Sequence, residues 1–352
     1  MVASLLLLGL FAPSVPATPP PVTSPMTERS VAKPEPSPHN TRNRKGKAVA
    51  RPAGTAGTAK TVGRARSARG TVSAPPSVDY LLFCNQPERL TRPGAYADAR
   101  LIGGRTYRIF FHYRNMKRSS APLTLAFHGT AGAPLTVSLR KGIADPQNDP
   151  PRAGRQALTK YLRARSVPVT GRNGSIALPL TLRSFDTASG ILTVRPSADC
   201  RFRVLFDGGR QTVRGARVTE VPAPRREVTI RLSETRPARF FRIGRPDDLP
   251  EQHAPRSGNV SARDRMDGSY GLLYSFHVRT PPGRRVRITF SPRGGQSGMV
   301  ALVDGSVRSS NIVPPAGLAL FAETTVTDAG LHLVTMPFGG VFYPVEIAFH
   351  LR

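Results

Sequence analysis

From residue 79 onward, apolar side chains recur at every second position. Tyr107, Ile109, Phe111 and Tyr113 alternate with Arg108, Phe110, His112 and Arg114. Leu123, Leu125 and Phe127 repeat the pattern, as do Leu135, Val137 and Leu139, then Cys200, Phe202, Val204 and Phe206, then Val228, Ile230 and Leu232. Successive side chains of a strand point to opposite faces, so each run predicts a strand with one buried face. After Pro237 a second block follows: Leu272 to Val278, Val286 to Phe290, Met299 to Val303, Leu318 to Phe321, Leu331 to Val334 and Val341 to Phe349. Asn173-Gly174, Asp207-Gly208 and Asp304-Gly305 lie between runs, where residues tolerant of positive φ close tight hairpins. Only Arg152 to Arg163 reads at helical spacing, with Ala157, Leu158, Tyr161 and Leu162 on one face and Pro168 beyond its end.

Many short strands with turn residues between them predict an all-β fold made of two β-sandwich-like domains, 78–236 and 237–352. The polar, proline-broken stretch 244–269 reads as a long loop leading into the second domain. What precedes residue 78 has a different character. Residues 1–17 place a short apolar core, Ser4 to Phe11, before small residues at Val15 and Ala17, the pattern of a signal peptide cleaved after Ala17. The core is too short to cross a bilayer as a helix, and no transmembrane segment is expected in the mature chain. No Lys or Arg precedes the core, a departure from the usual pattern. Residues 18–77 are Pro, Ala, Thr, Ser, Gly and Arg, with too few large apolar side chains to offset the entropy of ordering, and read as a disordered tether.

Charge adds a partner to this picture. The chain carries 51 Lys and Arg against 22 Asp and Glu, a formal net charge of +29. The tether holds eleven basic residues, and without it and its two acids 40 basic residues still face 20 acidic ones. Such a surface attracts polyanions. Export makes an anionic wall or envelope polymer the expected partner and argues against nucleic acid. Arg42, Arg44, Lys45, Lys47, Arg64, Arg66 and Arg69 are the candidate contacts. Codon usage in a GC-rich genome, which enriches Arg, Ala, Pro and Gly together, accounts for the basicity equally well.

Candidate chemistry is sparse. The two cysteines, Cys84 and Cys200, would form one disulfide in an exported chain, closing a loop that contributes roughly 4–5 kcal/mol in the chain-entropy model. Two buried thiols are the alternative. Asp264 and Asp267, with Asp247, Asp248 and Glu251 upstream, make a calcium candidate. Their spacing matches no EF-hand, and Arg263 and Arg265 interleave to cancel the charge. No other metal site and no cofactor is expected. Gly295-Gln296-Ser297-Gly298 fails the nucleophile-elbow pattern, and Ala53 to Lys60 lacks the glycine spacing of a P-loop. His112, His128, His277, His332 and His350 lie in or beside predicted strands and read as structural or surface residues. Trp is absent, which weakens a sugar-stacking platform.

Several phrases occur together: Pro87-Glu88-Arg89-Leu90 before Arg92-Pro93-Gly94, His112-Tyr113-Arg114-Asn115, Gly142-Ile143-Ala144, Gly268-Ser269-Tyr270-Gly271-Leu272-Leu273-Tyr274, Pro292-Arg293-Gly294-Gly295 and Tyr343-Pro344-Val345. In these, about residues 79–352 resemble a group of secreted bacterial two-domain β-proteins, some carrying cell-wall-type modules. The resemblance implies export and the two-domain layout, and assigns no role to any residue. The sequence thus favours a non-enzymatic secreted or cell-envelope protein that binds or scaffolds. A secreted hydrolase whose site no motif marks, and sequence-blind nucleic-acid binding, are the alternatives.

Overall fold

Each alternating run falls in a strand of the computed structural model, which describes residues 72–222, 224–245, 248 and 268–352. The expected signal segment, the seven candidate basic contacts of the expected tether and the calcium candidates Asp264 and Asp267 lie outside the described residues. The first part of the chain contributes β1 (Tyr80–Gln86), β2 (Arg89–Leu90), β3 (Gly94–Leu101), β4 (Tyr107–Asn115), β5 (Ala121–His128) and β6 (Leu135–Ile143). After α1 (Pro150–Arg163) come β7 (Val167–Gly171), β8 (Ser175–Leu182), β9 (Thr187–Pro196), β10 (Cys200–Phe206) and β11 (Arg217–Pro222). A seven-stranded sheet in the order β11-β1-β4-β9-β6-β7, with β2 beside β4, faces a four-stranded sheet in the order β3-β10-β5-β8. Between them lies a core that includes Leu82, Ile109, Phe111, Leu125, Phe127, Phe202 and Val204. Those are the inward members of the alternating runs.

The second part contributes β12 (Arg225–Arg231), β13 (Ala238–Ile243), β14 (Leu273–Arg279), β15 (Arg285–Pro292), β16 (Val300–Val303), β17 (Ser306–Ser309), β18 (Ala319–Thr325), β19 (Leu331–Thr335) and β20 (Val345–Leu351). A five-stranded sheet, β12-β14-β19-β16-β17, packs on a four-stranded one, β13-β20-β15-β18, around Phe276, Ile288, Phe290, Ile347 and Phe349. The fold is all-β. Asn173, Asp207 and Asp304, each followed by a glycine also at positive φ, form turns. Of the three only Asp304-Gly305 closes the anticipated hairpin, β16 to β17, whereas the strands flanking Asn173 and Asp207 belong to different sheets.

Three features depart from expectation. First, the chain leaves the first sandwich earlier than residue 236. β11 pairs with β1, whereas β12 pairs in parallel with β14, because Ile230 and Leu232 belong to the second core. Second, β4 is buried on both faces. Its polar-side positions Arg108, Phe110 and His112 are covered by α1 and by the outer face of the second sandwich, in a third cluster that joins Leu81, Phe83 and Phe110 to Leu273, Val300 and Val334. Third, the end of the expected tether is placed in this seam. Val72 and Ala74 pack against the cluster, and the Val72 amide donates to the Gly305 carbonyl at 3.1 Å.

Two arginines explain why a segment with so little apolar content is held. Arg108 is fully buried and donates to the carbonyls of Pro224 (3.1 Å), Gly271 (3.2 Å) and Pro76 (3.4 Å) and to the Tyr161 hydroxyl (3.4 Å). It therefore ties both sandwiches and the incoming strand to one guanidinium. Arg140, also buried, donates to the carbonyls of Tyr161 and Leu162 at 3.0 Å each and reaches Ala74 at 3.5 Å. The Tyr161 and Leu162 carbonyls lie in the last turn of α1, where a cation is favoured by the helix dipole, and the Tyr161 carbonyl also accepts from the Ala164 amide at 3.2 Å. The N-terminal end is closed by Asp149, whose carboxylate accepts from the Arg152 amide, with proline in the first turn, where it costs no hydrogen bond.

Candidate functional site

The outer face of the sheet β13-β20-β15-β18 carries a groove. Pairing register places Phe240 beside Ala348, Ala348 beside Thr289, and Thr289 beside Leu320, a row running across all four strands. The two middle strands present small side chains outward, and the two edge strands large ones. Ala348, Thr289 and Ser291 are only 6–8% exposed although they sit on the outer face, while Phe240 is 64% exposed, Leu318 74% and Leu320 59%. The walls of Phe240 on β13, of Leu318 just before β18 and of Leu320 on β18 thus stand above a floor of hydroxyls and a methyl group. The groove encloses about 390 Å³.

Arg287, Arg293 and Arg352 line it against a single carboxylate, Glu346. Glu346 accepts from Arg293 at 2.6 Å and from Arg242 at 3.1 Å. The Arg293 hydrogen bond holds its carboxyl below the usual range; burial opposes it, and the weaker hydrogen bond of Arg242 adds to the lowering. Arg287 is 3.5 Å from Glu323, which Arg285 already engages at 2.9 Å. The buried Arg287 Nε has no hydrogen-bond partner. His350 meets Phe240 edge-on at 5.8 Å and lies 3.4 Å from the Thr289 hydroxyl. Burial, then Arg352 and Arg287, push its imidazole below the ordinary value, so it is neutral at neutral pH. The groove combines apolar walls, hydroxyl groups and excess guanidinium, a chemistry that suits a carbon-rich chain bearing anionic groups.

A second depression, of about 440 Å³, lies on the outer face of the first sandwich among Asp98, Arg100, His128, Asp199 and Arg201. Here charge is matched. Asp98 accepts from Arg201 at 2.5 and 2.7 Å, and Asp199 from Arg100 at 2.7 Å.

The other expected residues separate in space. Cys84 and Cys200 are free, buried thiols, and the disulfide expected between them is not formed. Tyr107 shows why. Its hydroxyl accepts from the Ile102 amide at 2.9 Å, which sets its ring level with Leu101, the partner of Cys200. Cys84 instead pairs with Phe111, four positions along β4, or roughly 13 Å at the rise of a strand. Burial pushes the Cys200 thiol up to about 12 and Cys84 higher still, so both stay protonated and inert. His277 and His332 stack at 4.5 Å, with the Ser275 hydroxyl 2.9 Å from His332 Nε2 and 3.4 Å from His277 Nε2. Glu227 contacts that same His277 nitrogen at 2.8 Å. A nucleophile–base–orienter relay needs the two partners on opposite ring nitrogens, so this is a hydrogen-bonded chain and not a triad. Among the described residues no group of three or more His, Cys, Asp or Glu is placed to hold a metal ion.

Sequence reasoning passed over Phe240, Arg287, Arg293 and Arg352. The available signal was the coincidence of small residues on β15 and β20 with large ones on β13 and β18, which becomes visible only once the strand order is known. No protein-family model matches the chain, and no curated protein matches it. Among solved structures it is similar to the M60 catalytic domain with two CBM51 domains of Clostridium perfringens ZmpB, at 7% identity and a TM-score of 0.17, over 72% of this chain and 34% of that one. It is also similar to the CBM22-1–CBM22-2 tandem of Paenibacillus barcinonensis Xyn10C, at 8% identity and a TM-score of 0.17, over 68% of this chain and 82% of that one. The chain thus spans about a third of the first neighbour's length.

Proposed function

We propose that this is an exported, non-enzymatic binding protein of the cell envelope, and that the groove on the second sandwich contacts an anionic envelope polymer. The observation that carries the reading is three guanidiniums facing one already shared carboxylate across a floor of small side chains. Arginine suits this task because its planar fork engages phosphate and carboxylate oxygens bidentately and sheds water readily. Phe240, Leu318 and Leu320 then cover the carbon backbone of the same polymer. The basic tether adds charge that is blind to structure and raises the local concentration of polymer.

Binding of the full-length chain to poly(glycerol phosphate), measured at 50 and 300 mM salt, tests the reading. Counterion release makes affinity fall steeply with salt if several anionic groups are contacted. Affinity that ignores salt, or an absence of binding at low salt, contradicts it.

A further inference from the structure

A second cavity, of about 540 Å³, opens in the seam between the two sandwiches, and its chemistry is the reverse of the groove's. The first sandwich lines it with acceptors. Asn85 is the penultimate residue of β1, and its Oδ1 is buried without a hydrogen-bond partner among the described residues. Glu88 lies in the turn before β2 and keeps about half its side chain exposed. His112 points outward from β4, is 2% exposed, and neither of its ring nitrogens has a hydrogen-bond partner among the described residues. Its Nε2 lies 3.5 Å from Glu88 Oε1, an approach without hydrogen-bond alignment. The second sandwich supplies carbon. Tyr270 stacks on Phe110 at 5.7 Å and is anchored by its hydroxyl, which donates to the Val341 carbonyl at 2.7 Å. Phe342 stands 57% exposed at the mouth.

The backbone around this cavity is built to let the imidazole in. A side chain at Gly339 would place its Cβ 2.3 Å from His112 Nδ1, and one at Gly154 would sit 1.9 Å from the Gly339 carbonyl oxygen. Only glycine at both positions allows the β19–β20 loop to pass between His112 and α1. A buried polar group costs on the order of 1–3 kcal/mol when it is left unpaired, so Asn85 Oδ1 and the His112 ring are the groups that a ligand must satisfy.

We propose that the seam cavity binds one neutral, hydroxyl-rich ring, a saccharide unit without charge. Hydroxyl groups donate to Asn85 Oδ1, to the Glu88 carboxylate and to the neutral imidazole, while the carbon face of the ring lies on Phe342. An anion is disfavoured next to the Glu88 carboxylate, which lines the cavity. A cation is disfavoured by Arg89 and Arg114, whose charges act on Glu88, and by a chain of net charge +29. The volume falls within the range of small-molecule sites, which favour junctions of this kind. The proposal is independent of polymer binding at the groove.

Calorimetric titration of the full-length chain with N-acetylglucosamine, with glucosamine and glucuronate as charged controls, tests it. Saturable binding of the neutral monosaccharide is expected, with each charged sugar at least tenfold weaker. Phe342→Ala and Asn85→Leu each weaken binding about tenfold with unchanged denaturation midpoints, whereas the groove variant Arg287→Ala leaves it unaltered. No saturable binding of the neutral sugar, tighter binding of either charged one, or insensitivity to both seam variants overturns the assignment. Loss in Arg287→Ala alone would return all binding to the groove and equally overturn it.

Discussion

Arginine does two different jobs in this protein, and the seam and the groove separate them. In the seam, Arg108 and Arg140 form no ion pair with a carboxylate among the described residues. Their donors end on backbone carbonyls of Pro76, Pro224, Gly271, Tyr161 and Leu162. In the groove, Arg293 and Arg242 share one carboxylate and Arg285 and Arg287 another, which leaves guanidinium surface free for a ligand. Basic composition alone does not distinguish these uses, and codon usage would distribute arginine without regard to either. The comparison teaches that a buried guanidinium serves as a multi-donor strut, while a surface one earns a functional reading only where cations outnumber the anions beside them.

The largest effect belongs to the strut. Arg108→Ala removes four donors and leaves a cavity and unpaired carbonyls, so urea denaturation is expected to show a loss of about 3–5 kcal/mol. Arg108→Lys recovers little, because one ammonium cannot span acceptors from three segments. A loss below about 1 kcal/mol would mean that the seam is held by its apolar cluster alone.

His112 gives a pH-dependent effect of nearly that size. Burial pushes its imidazole down to about 4 from an ordinary value near 6.5. The unfolded chain therefore binds the extra proton between those values. The stabilisation is complete above about pH 6.5 and is lost as pH falls through about 4. The fall in unfolding free energy from pH 7 to pH 4 is expected to be about 3 kcal/mol larger in the native protein than in His112→Asn. Equal slopes in the two proteins would contradict the buried, neutral state.

Packing of the β19–β20 loop on α1 comes next. Gly154→Ala drives a methyl into the Gly339 carbonyl and should cost about 1–3 kcal/mol, read from the shift in denaturation midpoint. An unchanged midpoint would show that the loop moves freely against the helix.

Much of the fold was legible in the sequence because period-two alternation reports a face buried in a core. The runs at Tyr107 to Tyr113 and Leu272 to Val278 gave their strands directly, and Ala157, Leu158, Tyr161 and Leu162 gave the helix. What alternation hides is a second buried face. Arg108 and His112 look like solvent positions from sequence, since nothing local announces that another sandwich covers β4. β9 was missed for a related reason. It is buried on both sides, with Ile191 standing in the phase of Thr187, Ser189 and Thr193, and Gly190 interrupts the apolar phase where the Phe111 ring would collide with any side chain. Val72 and Ala74 lie in a stretch with too little apolar content to predict order, because the apolar cluster, the Gly305 carbonyl and the Arg140 guanidinium that hold them are contributed from elsewhere. The groove is a product of strand order. Small outward residues such as Thr289, Ser291 and Ala348 are ordinary on a solvent face, and only the pairing β13-β20-β15-β18 sets Phe240 and Leu320 on either side of them.

The smallest expected effect on stability is also the most decisive for the account. The double variant Arg287→Ala/Arg352→Ala should change the unfolding free energy by no more than about 0.5 kcal/mol, as surface substitutions do. Its affinity for poly(glycerol phosphate), followed across a salt series beside the native chain, tests the division of labour directly. The account predicts weaker binding at low salt and a log–log salt dependence shallower by about 1–2, because two fewer anionic contacts release counterions. An identical slope and affinity in the two proteins, with the fold intact, would contradict it and leave the groove arginines without a role in binding.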